Sequence, residues 1–207
     1  MRWDNLFDDL EGQLDRELNA EQIDLRAEEE RLRLGRLSLR TRLMNLTGGF
    51  VGSAVFRIAL TSGDTVIVRP TSFGRDWLAA DLFGSEPHPG TDGSGGTCAQ
   101  CVLPFAAVAG IMLTGEQLER SLNGAETASA ARMSDRIGLS FVLRDLCRRR
   151  ADLEVRTTSG VHTGTIDRVG RDHLDLAVHP SGTLRRSRDV QHYRLVPFDQ
   201  LLLVRLG

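Results

Sequence analysis

Gly74-Arg75-Asp76-Trp77-Leu78 and Gly170-Arg171-Asp172-His173-Leu174 are two copies of one phrase, and the reading of the chain turns on them. Three further pairs flank them in the same order. Leu37-Ser38 answers to Leu139-Ser140, Ser62-Gly63 to Ser159-Gly160, and Val102-Leu103-Pro104-Phe105 to Leu195-Val196-Pro197-Phe198. The spacing is held too: Gly63 to Gly74 is 11 residues and Gly160 to Gly170 is 10, while Gly74 to Pro104 is 30 and Gly170 to Pro197 is 27. Matches in one order at near-constant spacing mark an internal duplication.

Each copy follows one grammar. A short apolar-periodic segment opens it, and the period then falls from about 3.6 to 2. Phe56, Ile58 and Leu60 alternate with Arg57 and Ala59, Ser62-Gly63-Asp64 supplies a turn, and Val66 with Val68 begins the returning strand. The glycine-arginine-aspartate step bends the chain into a third strand, a loop leads to a fourth, and a proline-phenylalanine corner leads to a fifth. Sharp bends at glycine let such strands serve both faces of a small five-stranded barrel. The expected fold is therefore α+β, with N-terminal helices and two tandem barrels, each opened by a short helix. Its boundaries are an acidic helical segment at 1–36, a first barrel at 37–113, a linker at 114–136 and a second barrel at 137–207. Pro70, which removes a ladder hydrogen bond, marks the first copy as the degenerate one.

The second copy, Thr165-Ile166-Asp167-Arg168-Val169-Gly170-Arg171-Asp172-His173-Leu174-Asp175-Leu176, resembles the Sm-like family of SH3-type barrels. It is also similar to the C-terminal barrel of bacterial ribosome-maturation factors. The whole chain looks like a family of uncharacterised actinobacterial proteins that pair an acidic N-terminal helix with two such units. The resemblance implies an RNA-binding regulator. It does not carry over a uridine pocket, because Pro104-Phe105 and Pro197-Phe198 stand where Sm-like proteins place an arginine-glycine step.

Ahead of the repeat, Leu6, Phe7, Leu10, Leu14 and Leu18 recur at three- and four-residue steps among acids, an amphipathic helix. Asn19 with Gln22 resembles a cap with its N3 partner, so a second helix or a bend is expected there. Ser38 opens the next helix and Gly48-Gly49 closes it; Ser140 opens its counterpart, which ends in Arg148-Arg149-Arg150. Residues 114–136 read as a linker or a weak connecting helix.

Composition bounds the rest. In 207 residues, 41% hydrophobic and 26% charged, there is room for one medium domain or two small ones, and disorder, collagen and coiled-coil rod fit poorly. Every basic residue is arginine, which fits a GC-rich genome. Residues 1–36 carry 11 acids against 6 arginines, whereas residues 131–207 carry 9 acids against 14 arginines, so the two ends differ in sign. The longest apolar run, 101–113, contains Pro104 and Gly110 and is too short to span a bilayer. With three cysteines and no disulfide framework, a cytoplasmic location and no membrane partner are expected.

Cys98-Ala99-Gln100-Cys101 has the spacing of half a zinc site but lacks a second pair, with only His88 and Cys147 to complete it. His162, His173, His179 and His192 match no ligand set, and no nucleophile or acid-base couple stands out. The expectation is no enzyme, no catalytic residue, no metal, no cofactor and no small-molecule substrate. The arginines are the stronger candidates. Arg148, Arg149, Arg150, Arg168, Arg171, Arg185, Arg186 and Arg188 could form a phosphate-binding face for RNA. The alternative is a protein-interaction adaptor, or self-association, through the helical stripe Leu6, Phe7, Leu10 and Leu14 and the barrel edges.

Overall fold

The computed structural model describes the backbone of residues 3–47, 54–85, 99–123, 133–182, 186 and 188–207, and their side chains except those of 3–17, 84, 85, 133 and 134. Residues 1–39 form one unit and residues 40–207 another. In the first, helix α1 (Trp3–Gly35) runs without the break expected at Asn19. A cap-forming residue inside a long helix costs only a fraction of a kcal/mol, roughly 0.5, which is less than opening the backbone ladder around it. The side chains of Leu6, Phe7, Leu10 and Leu14 lie outside the described residues.

The second unit opens with most of α2 (Leu39–Leu46). Strands β1 (Phe56–Leu60), β2 (Thr65–Phe73), β3 (Trp77–Ser85), β4 (Ala99–Pro104) and β5 (Val108–Met112) follow. Helix α3 (Gly115–Leu122) and α4 (Leu139–Arg149) then lead to β6 (Asp152–Thr157), β7 (Gly160–Val169), β8 (His173–Val178), β9 (His192–Pro197) and β10 (Leu201–Leu206). The stretch expected as a linker or a weak connecting helix holds α3, whose Thr114 and Gln117 form a complete capping box.

Among the described residues the ten strands all belong to one antiparallel sheet, in the order β5-β1-β2-β3-β4-β10-β6-β7-β8-β9. The two closed barrels expected from the sequence are not formed. A barrel would close by pairing the first copy's β4 with its own β5, but β4 is taken by β10 of the second copy, with Val102 opposite Val204 and Cys101 opposite Arg205. The sheet is open, and its edges are β5 and β9.

The duplication survives this correction residue by residue. Trp77↔Pro104, Leu78↔Leu103 and Ala79↔Val102 in the first copy have the same register as His173↔Pro197, Leu174↔Val196 and Asp175↔Leu195 in the second. Both copies shift register at one shared place, between Pro70 and Ser72 and between Ile166 and Arg168, and the first copy has a further shift between Ile67 and Val68. Pro70 thus stands where the second copy has Ile166. Two cores follow. One collects Leu43 and Leu46 of α2 with Phe56, Ile58, Leu78 and Leu103; the other collects Leu139, Leu143 and Leu146 of α4 with Val155, Ile166 and Leu174. The cores trade members at the junction: Trp77 and Val102 join the second, Leu202 and Leu203 the first.

The glycine of the repeated phrase has a steric cause. Gly74 N–H donates to Trp77 O and Gly170 N–H to His173 O, both at 2.9 Å. A Cβ on Gly74 would overlap the Trp77 indole, and one on Gly170 the His173 imidazole. Gly164 is tighter in another way, because a Cβ there would run into the backbone carbonyl of Ala177 on β8. Backbone cannot swing aside as a side chain can. Gly164→Val is expected to lower unfolding stability by about 2 kcal/mol, read as a lower urea midpoint, while Gly182→Asn in the loop should leave the midpoint nearly unchanged.

Candidate functional site

The predicted arginines are placed at two ends of the second copy. Arg148 and Arg149 lie at the end of α4, and both reach Asp145 at 2.6 Å. These hydrogen bonds hold the Asp145 carboxyl below its ordinary range. Arg150 closes the helix in the left-handed region, with φ of 52°. Two residues on, Asp152 Oδ2 accepts from Ser181 Oγ at 3.1 Å and from Gly182 N at 2.7 Å. That anchors the start of the β8–β9 loop beside the arginine run. Arg186 and Arg188 are exposed farther along the loop, Arg188 with Asp189 at 3.7 Å, and Arg185 lies outside the described residues.

Arg168 and Arg171 belong to the other end. Arg168 is exposed and stands in register with Asp175. Arg171 sits in the β7–β8 turn, which leaves the end of β8 opposite to the β8–β9 loop. Arg144, not singled out from the sequence, donates to Gly170 O at 3.4 Å and adds a cation at this turn. Spacing alone could not place it there, because the contact depends on α4 lying along β7.

The remaining candidates have structural partners. His179 is buried, with Nε2 2.8 Å from Thr165 Oγ1 and Nδ1 3.0 Å from Pro180 O. Cys147 donates to Asp167 O at 3.3 Å, and burial pushes its thiol pKa up, away from the reactive thiolate. Cys101 is buried in β4, while Cys98 and His88 lie outside the described residues. Among the described residues no group of three ligating side chains could hold a metal, and no helix is long and apolar enough to cross a membrane.

The repeated phrase forms a hook that the two copies use differently. Asp76 O accepts from Phe105 N at 3.0 Å and Asp172 O from Phe198 N at 2.8 Å, so the corner is built alike. In the first copy the hook grips the entry to α4. Ile137 O accepts from Trp77 Nε1 at 2.9 Å and from Arg75 N at 3.0 Å, and Leu139 N donates to Asp76 Oδ1 at 2.8 Å. Gly138 has no side chain to cap α4, so Asp76 supplies the missing acceptor. In the second copy Asp172 Oδ1 accepts from its neighbour His173, and the place of the gripped segment is an open groove of about 440 Å³ lined by Arg171, Asp172, His173, Leu195, Pro197 and Phe198.

The edge beside this groove carries two exposed apolar side chains among His192 and Arg194. Leu195 on β9 is 65% exposed and Tyr193 61%, whereas Val102, at the position of Leu195 in the first copy, is 5% exposed. The barrel closure expected from the sequence would have removed most exposed edges, this one included. Compared with known proteins, the chain matches no family model, no curated protein and no solved structure. The resemblance to Sm-like units thus rests on the residues quoted above.

His162 on β7 gives the fold a pH dependence. Burial, helped by Arg194 and His192, pulls its pKa below the ordinary value, and its Nε2 is buried with no hydrogen-bond partner. A histidine depressed in the folded state binds fewer protons there than in the unfolded chain. Its stabilising preference for the neutral ring is present above the unfolded pKa of about 6.5, and is lost as pH falls below it. The urea midpoint should therefore drop between pH 7.5 and 5.5, and drop less in His162→Gln; equal slopes would sink the assignment.

Proposed function

We propose that the protein is a non-catalytic cytoplasmic adaptor that binds protein through its open sheet edges. The observation that carries this reading is the contrast between Val102 and Leu195, equivalent residues of which one is covered by β10 and the other bare. An edge strand presents a row of unpaired N–H and C=O groups, and natural proteins usually blunt it with charge, proline or a bulge. β5 reads Val108-Ala109-Gly110-Ile111-Met112, with neither charge nor proline, although its pairing with β1 carries one register shift. β9 is an end strand that carries Arg194 and ends in Pro197, and on it Tyr193 and Leu195 are exposed apolar side chains. Main-chain pairing would supply affinity, and pockets for alternate side chains specificity. A photo-crosslinking p-benzoylphenylalanine in place of Tyr193 should give adducts with protein in cells. The same group at Phe141, equally exposed on α4, should give few. No protein adduct at 193 would end the edge reading.

A second reading, RNA binding, is favoured by the exposed arginines at both ends of the second copy, Arg150, Arg186 and Arg188 at one and Arg168 and Arg171 at the other. Phosphate contacts of this kind release counterions and depend little on base sequence. Replacing Arg185, Arg186 and Arg188 with alanine should weaken binding of a mixed single-stranded RNA pool evenly. It should also flatten the salt slope by up to about one unit per lost contact. No retention on filters even at low salt would remove this reading.

A further inference from the structure

We propose that the groove at Gly170-Arg171-Asp172-His173 binds the start of a helix in a partner protein, at a segment of the form apolar-glycine-apolar that brings no capping side chain of its own. The site adjoins the β9 edge but does not depend on strand pairing there.

The first copy shows what a hook of this build holds. Ile137 O accepts from Arg75 N and Trp77 Nε1, and Leu139 N donates to Asp76 Oδ1, so a carbonyl and the amide two residues later are gripped together. Between them Gly138 is the N-cap of α4 and offers no side chain to the free N–H groups of the first turn. The Arg75 guanidinium lies over it, 2.8 Å from where a Cβ would stand. Ile137 and Leu139 pack with Trp77 in the second core. The recognised unit is therefore backbone at a helix start, fixed by two donors and one acceptor, with an apolar side chain on either side.

The second copy keeps these parts and leaves them open. Asp172 O accepts from Phe198 N as Asp76 O does from Phe105 N, and the His173 ring lies over Gly170 as the Trp77 ring lies over Gly74. The Asp172 side chain is 82% exposed, and Pro197 is exposed where Pro104 is buried. Asp172 Oδ1 bonds His173 Nδ1 at 2.8 Å, and a carboxylate has acceptor sites for a further N–H. Leu195, Pro197 and Phe198 offer an apolar wall to the flanking residues. One difference decides the kind of ligand: Asp199 stands where the first copy has Ala106. Two carboxylates at the groove complement the partial positive charge of a helix N-terminus and disfavour a phosphate. The incoming helix gains from Asp172 the cap that its own sequence lacks.

The test uses the full chain and, as probe, a labelled peptide of residues 135–146, acetylated and amidated, which carries Ile137-Gly138-Leu139. Fluorescence anisotropy should show saturable binding. Asp172→Ala should weaken it by at least about tenfold, with unchanged circular dichroism because that side chain is exposed. The same peptide with an ester in place of the Gly138–Leu139 amide lacks the N–H that Asp172 accepts. It should bind the unaltered chain more weakly by a similar factor, a comparison that needs no variant of the protein. Affinity unchanged by Asp172→Ala would put the peptide elsewhere, the first hook included, and overturn the proposal. Equal affinity for amide and ester, or no saturable binding at the solubility limit of the peptide, would do the same. The cross-linker at position 193 reads the strand edge separately, so failure here leaves the edge reading in place.

Discussion

The pairing of β4 with β10 is the constraint from which the architecture follows. It joins the outer edge of the first copy to the last strand of the second, so neither copy closes on itself. It also puts apolar side chains on both faces of the same strands. Leu201, Leu202, Leu203 and Val204 are all buried, two facing each core, and Cys101, Val102 and Leu103 of the neighbouring β4 are buried as well. A strand buried on both faces gains from continuous apolar sequence, and each such side chain is worth roughly 2 kcal/mol of transfer free energy. Separating the copies would expose two strands at once.

The hook reinforces the same seam. Asp76, Arg75 and Trp77 belong to the first copy, yet their partners are the residues that lead into α4. The second core is therefore anchored to the first sheet half by hydrogen bonds at the start of α4 and by the ladder at β10. Arg40 extends the anchor, donating to Gly74 O at 2.7 Å and pairing with Asp135 at 2.6 Å, both partly buried. The glycine at 74 is needed because the Trp77 ring that donates to Ile137 O lies over it. One steric requirement thus links the repeated phrase to the contact between copies.

Much of this was legible in the residues, because it is local. The turn at Gly63, with φ of 92°, and the strands around it follow from alternation and turn chemistry. The Pro-Phe corners, the helices near Ser38 and Ser140 and the duplication itself were equally readable. Barrel closure was not, because neighbours within a copy are set by short connections while the last pairing is a competition between edges. The deciding signal was the run Leu201-Leu202-Leu203-Val204 set against the smaller side chains of Val108-Ala109-Gly110 at the same positions. A strand wanted on both faces wins the edge that a weaker strand would otherwise take. The arginines were legible as residues and not as a surface, since only the packing of α4 along β7 decides which loops they share.

The two hooks show how a duplicated unit can close one copy of a motif on its own chain and leave the other open. In the first copy the gripped segment belongs to the same chain, so the hook closes without loss of translational freedom. Trp77 there is almost wholly buried and donates from its indole. In the second copy the groove is open to water, and histidine suits that state better than tryptophan. His173 is smaller, tolerates exposure and finds its own partner in Asp172 at 2.8 Å, which lowers the Asp172 carboxyl pKa through the hydrogen bond and the imidazole charge. The exchange of Trp77 for His173 is thus the change expected where the hook faces solvent, and it fits a phrase kept at Gly170, Arg171, Asp172 and Leu174 while its aromatic position alone departs.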